Sequence, residues 1–195
     1  RLVKNPITPS FEEAKQTFYA LFEDSVRLRL RADVGIGSCL SGGIDSSSIV
    51  CMVHHLLKNR SIKGIQKTFS AGSHIPKYDE RHFMDEIINH TDVDAHFVTP
   101  SLTSLLRALK QIVWHQDEPF GSSSIFAQHQ VFDLAKKAGV KVMLDGQGAD
   151  EILLGYTDFW LARFAQLIKQ GRWSDFHQER QSALRTHSLN SISKK

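Results

Sequence analysis

Two short glycine-rich stretches hold the residues of this chain best suited to act on a charged substrate. The first, Leu40-Ser-Gly-Gly-Ile-Asp-Ser-Ser47, sets two glycines, three hydroxyls and one carboxylate, Asp45, side by side. The second, Asp145-Gly-Gln-Gly-Ala-Asp-Glu151, sets three carboxylates among two glycines. Glycines let the backbone come close to a ligand, and a helix opening behind them offers unpaired N–H groups to an anion. Ser46 and Ser47 add hydroxyl donors or cap that helix. The first stretch therefore suits a phosphate. A loop of the lysine-containing kind is excluded, because no lysine lies between Val34 and His55. Asp45 would repel a bare polyphosphate, so it makes sense mainly as a ligand for Mg²⁺ carried by a nucleotide. The simpler alternative is a tight turn in which Asp45 caps a helix.

The flanking patterns say what positions these stretches. Residues 34–40 form a short apolar run, and Ile49, Val50, Val53, Leu56 and Leu57 follow at helical spacing, so the first stretch joins a strand to a helix. A second strand is expected over 65–70, ending in Ala71-Gly72, then a helix over 79–90 burying Phe83, Met84, Ile87 and Ile88. A strand over 95–98 leads to a helix capped by Ser101, with Leu102, Leu105, Leu106, Leu109, Ile112 and Val113 inward. The polar segment 114–124, with Pro119 and Gly121, reads as a loop. A helix over 124–138 and a strand over 140–144 then deliver the second stretch. Strands alternating with helices predict an α/β fold, a doubly wound parallel sheet with flanking helices. Loops at the carboxyl ends of such strands share one edge, which would bring Asp45 and Asp150 to a single crevice.

Upstream, Pro6 and Pro9 mark an extended lead-in, and Ser10 or Thr8 caps a helix striped by Phe11, Ala14, Phe18, Leu21, Phe22, Val26 and Leu30. Its closing Arg27, Arg29 and Arg31 read as a solvated helix end. Downstream, Phe159, Trp160, Leu161, Phe164, Leu167 and Ile168 predict another amphipathic helix, 173–185 continues helical, and 186–195 has no apolar period. These boundaries give a lead-in and helix (1–33), a nucleotide-binding core (34–156) and a helical segment (157–195). A formal charge of +3 is too small to argue for nucleic acid, and no apolar run reaches membrane-spanning length. Cys39 and Cys51 lie in apolar stretches and read as core residues of a reduced, cytoplasmic protein.

The first stretch resembles the pyrophosphate loop, SGGxDS, of the N-type ATP pyrophosphatases. Arg29-Leu-Arg-Ala-Asp before it and Gly146-Gln-Gly-Ala-Asp-Glu-Ile-Leu-Leu-Gly-Tyr156 after it are similar to the synthetase domain of the asparagine synthetases. That resemblance implies an adenine nucleotide alpha hydrolase-like fold. It also implies ATP and Mg²⁺, with aspartate activated as β-aspartyl-AMP and then amidated by ammonia from glutamine. Carried over by position, Leu40, Ser41, Gly42, Gly43, Asp45, Ser46 and Ser47 would hold the pyrophosphate. Cys39, Ala71 and the backbone of Asp145 and Gly146 would lie at the nucleoside, and Asp45 and Asp150 would bind Mg²⁺. The family often has glutamate between the two glycines of the second motif, whereas this chain has Gln147. An amide accepts no proton at neutral pH, so acceptor chemistry is where a difference is expected. The resemblance further implies a glutaminase domain in the parent protein, leaves a homodimer open, and gives a truncated domain that would not make asparagine alone. Another amide-forming ligase, such as one of β-lactam, secondary-metabolite or polysaccharide-associated synthesis, is the second reading. A non-catalytic nucleotide-binding module is the third.

Overall fold

Residues 9–59 and 66–186 are described in the computed structural model of the chain. The lead-in with Thr8, residue 65 of the second expected strand and the tail 187–195 lie outside them. The chain divides into two units, one within Arg1–Gly146 and one within Gln147–Lys195.

The first unit is built on four strands, β1 (Ile36–Cys39), β2 (Lys67–Ala71), β3 (Asp94–Val98) and β4 (Val142–Leu144). All neighbours run parallel, in the order β3-β2-β1-β4. The chain first winds outward from β1 through helix α2 (Ile44–Asn59), β2 and helix α3 (Arg81–Thr91) to β3. It then crosses back through α4 (Leu102–Gln116) and α5 (Ser123–Lys137) and lays β4 on the other side of β1. Winding therefore reverses between β1 and β4, and such a reversal opens a crevice at the carboxyl ends of those two strands.

Burial follows from this arrangement. Val53 and Leu56 of α2 pack with Val26 and Leu144, and Leu40 packs with Val50 and with Met84 of α3. Phe69 of β2 packs against Val131 and Ala135 of α5. Phe69 has no exposed surface, which contributes about 1.5–3 kcal/mol from its side chain alone. Cys39 and Cys51 are both free thiols.

Helix α1 (Phe11–Arg29) opens on Ser10 with a capping box, Ser10 N–H donating to Glu13 at 2.9 Å and Glu13 N–H to the Ser10 hydroxyl at 3.3 Å. Arg27 bonds Asp24 and Arg29 bonds Ser25 within the same helix, as suits a solvated helix end. The apolar stripe of α1 is only partly inward. Val26 is buried, Phe22 and Leu30 pack beside it, and Phe11, Phe18 and Leu21 are exposed. In α4 only Ile112 is buried, while Leu102, Leu106 and Leu109 face outward. Phe83 is likewise exposed. Periodicity marks which face of a helix is apolar, but the packing partner decides whether that face is covered. The polar segment after α4 is also shorter than expected. Trp114, His115 and Gln116 are still helical, and the helix stops at Asp117, whose φ of 60° is left-handed.

The second unit holds α6 (Ala149–Leu153), α7 (Thr157–Lys169) and α8 (Trp173–Thr186). Helices α7 and α8 pair through buried Leu167 and Ala183, a T-shaped contact of Phe164 with Phe176, and a bidentate Arg163–Glu179 bridge at 2.8 and 3.0 Å. No helix among the described residues is long and apolar enough to cross a membrane.

Candidate active site

At the carboxyl end of β1 the chain turns through Ser41, Gly42 and Gly43 into α2. Leu40 anchors this turn. Its side chain is in the core, its N–H bonds the Phe69 carbonyl at 3.1 Å, and its carbonyl accepts from the buried Ser70 hydroxyl at 2.6 Å. Both backbone groups are thus engaged, and Leu40 holds the loop in place. Gly42 has φ +83°, and a Cβ there would lie 2.9 Å from Phe83 Cβ and 3.2 Å from the Glu80 carbonyl oxygen. The turn needs glycine on both conformational and steric grounds.

The loop is braced from inside. Ser46 Oγ accepts from Ser41 N–H at 3.1 Å, lies 3.0 Å from Ser41 Oγ and donates to the Gly43 carbonyl at 3.2 Å. The first intrahelical bond of α2 runs from Ser47 N–H to the Gly43 carbonyl at 3.1 Å. The amides of Ile44, Asp45 and Ser46 therefore precede the ladder and form the positive end of a helix of 16 residues. Ser47 Oγ is buried without a hydrogen-bond partner. Asp45 is half-buried in this first turn. Free amides, an unpaired hydroxyl and one carboxylate form a donor set that fits a polyphosphate and a hard cation together. Mg²⁺ completes its coordination with phosphate oxygens and water, so it asks the protein for one or two carboxylates only. No group of three or more His, Cys, Asp or Glu suited to a metal occurs among the described residues.

The second motif begins beside the first. A Cβ on Gly146 would lie 3.0 Å from Asp45 Cβ and from Ser46 N, so the strand β4 exit rests directly on the loop. Next to it, Asp145 Oδ2 accepts from Gln128 Nε2 of α5 at 3.3 Å, and the Cys39 thiol lies close enough to feel the same carboxylate. Burial pushes the Cys39 thiol far up from its usual range, and the neighbouring Asp145 raises it further. Ala71 ends β2 on the same edge of the sheet. Cys39, Ser41 to Ser47, Ala71, Asp145 and Gly146 thus belong to one sheet edge.

Gln147 and Asp150 lie in the second unit and are described there. Gln147 is exposed and Asp150 half-buried in the short helix α6. The chain folds back so that Gly155 N–H donates to the Asp150 carbonyl at 2.9 Å, and Tyr156 Oη donates to Glu151 at 3.0 Å. A Cβ on Gly155 would run into the Asp150 carboxylate, with Cγ only 2.7 Å away. The glycine five residues after the aspartate therefore exists to clear that carboxylate.

Two contributors escaped the sequence. Ser70 and Gln128 reach the site from neighbouring elements, and neither sits in a motif. His115 and His129 line an open groove of about 300 Å³ between α4 and α5, together with Gln111, Ile112, Phe132 and Gln128.

Comparison with known proteins gives the family. The profile of the asparagine synthase family matches residues 17–193. A putative glutamine-hydrolyzing asparagine synthetase of Methanocaldococcus jannaschii is 33% identical over 145 residues, 74% of this chain and 26% of that protein. One from Mycobacterium bovis is 35% identical over 162 residues, 80% of this chain and 23% of that protein. The amidase chry2 of Gibberella zeae is 31% identical over 145 residues, 70% of this chain and 22% of that protein. The chain spans about a quarter of the length of the curated relatives it matches.

Proposed function

Since the chain belongs to the asparagine synthase family, we propose that it is the nucleotide-activating part of an ATP-dependent ligase that amidates aspartate. The observation that carries this reading is the braced Ser41–Ser47 loop at the winding reversal, with Gly146 resting on it. An acceptor carboxylate oxygen bonds the α-phosphorus, the bond to the bridging oxygen breaks, and pyrophosphate leaves. Nitrogen of ammonia, supplied from glutamine by a glutaminase partner, then bonds the acyl carbon, AMP departs with the bonding electron pair, and the nitrogen gives up a proton to solvent. The loop amides, Ser47 hydroxyl and α2 terminus hold the pyrophosphate and stabilise the charge it gains. Asp45 and Asp150 are the residues that would hold Mg²⁺, which lowers the repulsion among phosphate oxygens when bound.

The reading is tested by ATP–pyrophosphate exchange in the full-length protein with a panel of carboxylates. Exchange that depends on aspartate is expected. Exchange with another carboxylate alone would make this a ligase of different acceptor, and none at all would leave a nucleotide-binding module. The ligase of different acceptor is the second reading, supported by Gln147 and by similarity to a protein named as an amidase.

Gln147→Glu should alter the rate of amide formation while ATP affinity stays within about threefold, under 1 kcal/mol. A collapse of ATP affinity would place Gln147 in the nucleotide site instead. Gly155→Ala should displace the Asp150 carboxylate and raise the Mg²⁺ concentration for half-maximal exchange roughly 10–100-fold. An unchanged Mg²⁺ requirement would remove Asp150 from the metal.

A further inference from the structure

Ser70 is a buried hydroxyl that reaches the phosphate loop from outside its motif. It lies in β2 with 2% of its surface exposed, and its Oγ donates to the Leu40 carbonyl at 2.6 Å. Leu40 stands where the chain leaves β1, and its own N–H still bonds backbone, the Phe69 carbonyl at 3.1 Å. The Leu40 carbonyl and the Ser41 N–H belong to one peptide unit, which is planar. Ser70 holds the carbonyl side of that plane, and Ser46 Oγ accepts from the amide side at 3.1 Å. Two serines, from β2 and from the first turn of α2, thus pin one plane at its two opposite ends. Burial alone does not produce such a bond. Thr68 sits two residues earlier on the same face of β2, has no exposed surface, and its Oγ1 has no hydrogen-bond partner.

The plane governs what the loop offers an anion. In the pinned orientation the Leu40 carbonyl oxygen is directed at β2, and the Ser41 hydroxyl meets Ser46 Oγ and the Gly43 N–H. Without the Ser70 hydroxyl that oxygen is a buried acceptor with no donor, which favours turning the plane towards another partner. Turning it breaks the Ser41 N–H bond and swings an electronegative oxygen towards the turn, where it repels a phosphate. We propose that Ser70 is a positioning residue for polyphosphate binding: its hydroxyl keeps the Leu40–Ser41 peptide in the orientation that leaves the loop amides without a competing oxygen. This inference rests on the nucleotide reading given above. Ser70 touches no phosphate in this account. It acts through the fraction of molecules whose loop is competent to bind.

The test is calorimetric titration of the full-length protein with pyrophosphate and with ATP, each with Mg²⁺, below the melting temperature of every variant. Ser70→Ala should raise both dissociation constants roughly 5–30-fold at unchanged stoichiometry, because a smaller competent fraction weakens apparent affinity in proportion. A merely structural role would do the reverse, since unfolded molecules lower the stoichiometry and leave the affinity alone. Thr68→Val removes an unpaired hydroxyl from the same strand face and should leave both affinities within about twofold. Ser70→Cys keeps the shape with a weaker donor and should raise both constants at least about threefold. It carries the test if Ser70→Ala does not fold. Natural affinity in the Ser70 variants overturns the inference, as does an equal loss in Thr68→Val or a lower stoichiometry with affinity intact. Failure of the natural protein to bind either ligand would sink the nucleotide reading, and this inference with it. Binding that survives replacement of Ser70 removes the inference alone.

Discussion

Asp45→Ala in the full-length protein is expected to lower ATP–pyrophosphate exchange by roughly 10²–10³-fold or more, the scale on which one preorganised electrostatic contact acts. Asp45 is the only carboxylate between Asp33 and Asp79 of the chain, and it stands in the first turn of α2. A carboxylate near a helix start gains from the helix dipole, which gives Asp45 a purely structural use as well. The two uses differ in what they predict. A dipole contact at a half-exposed position contributes about 0.3–1 kcal/mol to stability. The variant should therefore melt close to the natural protein while losing exchange. Exchange within tenfold of the natural rate, at saturating Mg²⁺, would reduce Asp45 to a helix-end residue. Asp45→Asn refines the answer, since it keeps the shape and loses the charge that a cation needs.

The second large effect is expected at Gly42. Alanine there meets two independent costs. The left-handed backbone, at φ +83°, costs a residue with a Cβ about 1–2 kcal/mol. The added methyl would lie 2.9 Å from Phe83 Cβ and 3.2 Å from the Glu80 carbonyl oxygen. These atoms belong to the first turn of α3 and its approach, so the helix must shift, and forced repacking costs about 1–3 kcal/mol. Together Gly42→Ala should destabilise the protein by about 2–5 kcal/mol and lower its melting temperature by about 4–20 °C. The loop moves as well, so pyrophosphate binding should weaken at temperatures where the variant is still folded. A variant that melts normally would show that the loop accepts another conformation. One that melts low yet binds pyrophosphate normally would separate the strain from the site.

Both predictions start from residues whose importance is legible in the chain, and the reason is local. Glycine, serine and aspartate in Ser41 to Ser47 specify a turn by backbone conformation and short-range hydrogen bonds, and those bonds join residues no more than five apart. The strand–loop–helix order and the parallel sheet were legible for a similar reason, since apolar period distinguishes strand from helix over a few residues. The capping box of α1 and the short helix after Gly148 are local as well.

What sequence could not supply depends on which elements meet. The apolar stripes of α1 and α4 announce an inward face, yet Phe11, Phe18, Leu21, Leu102 and Leu106 are exposed, because a period states only that a face is apolar. The order β3-β2-β1-β4 places Asp145 beside Cys39, and no local pattern distinguishes that order from its alternatives. Gln128 looks like any polar helix residue until α5 is laid along the sheet and its amide reaches the Asp145 carboxylate. Gly155 is similar: the chain shows a glycine near an aspartate, and only the fold shows the carboxylate occupying the space a side chain would need. The chain by itself determined the chemistry of the loops, because that chemistry is written in residue types and short spacings. Tertiary structure decided which side chains hold those loops in place, because long-range contact depends on the relative placement of whole elements.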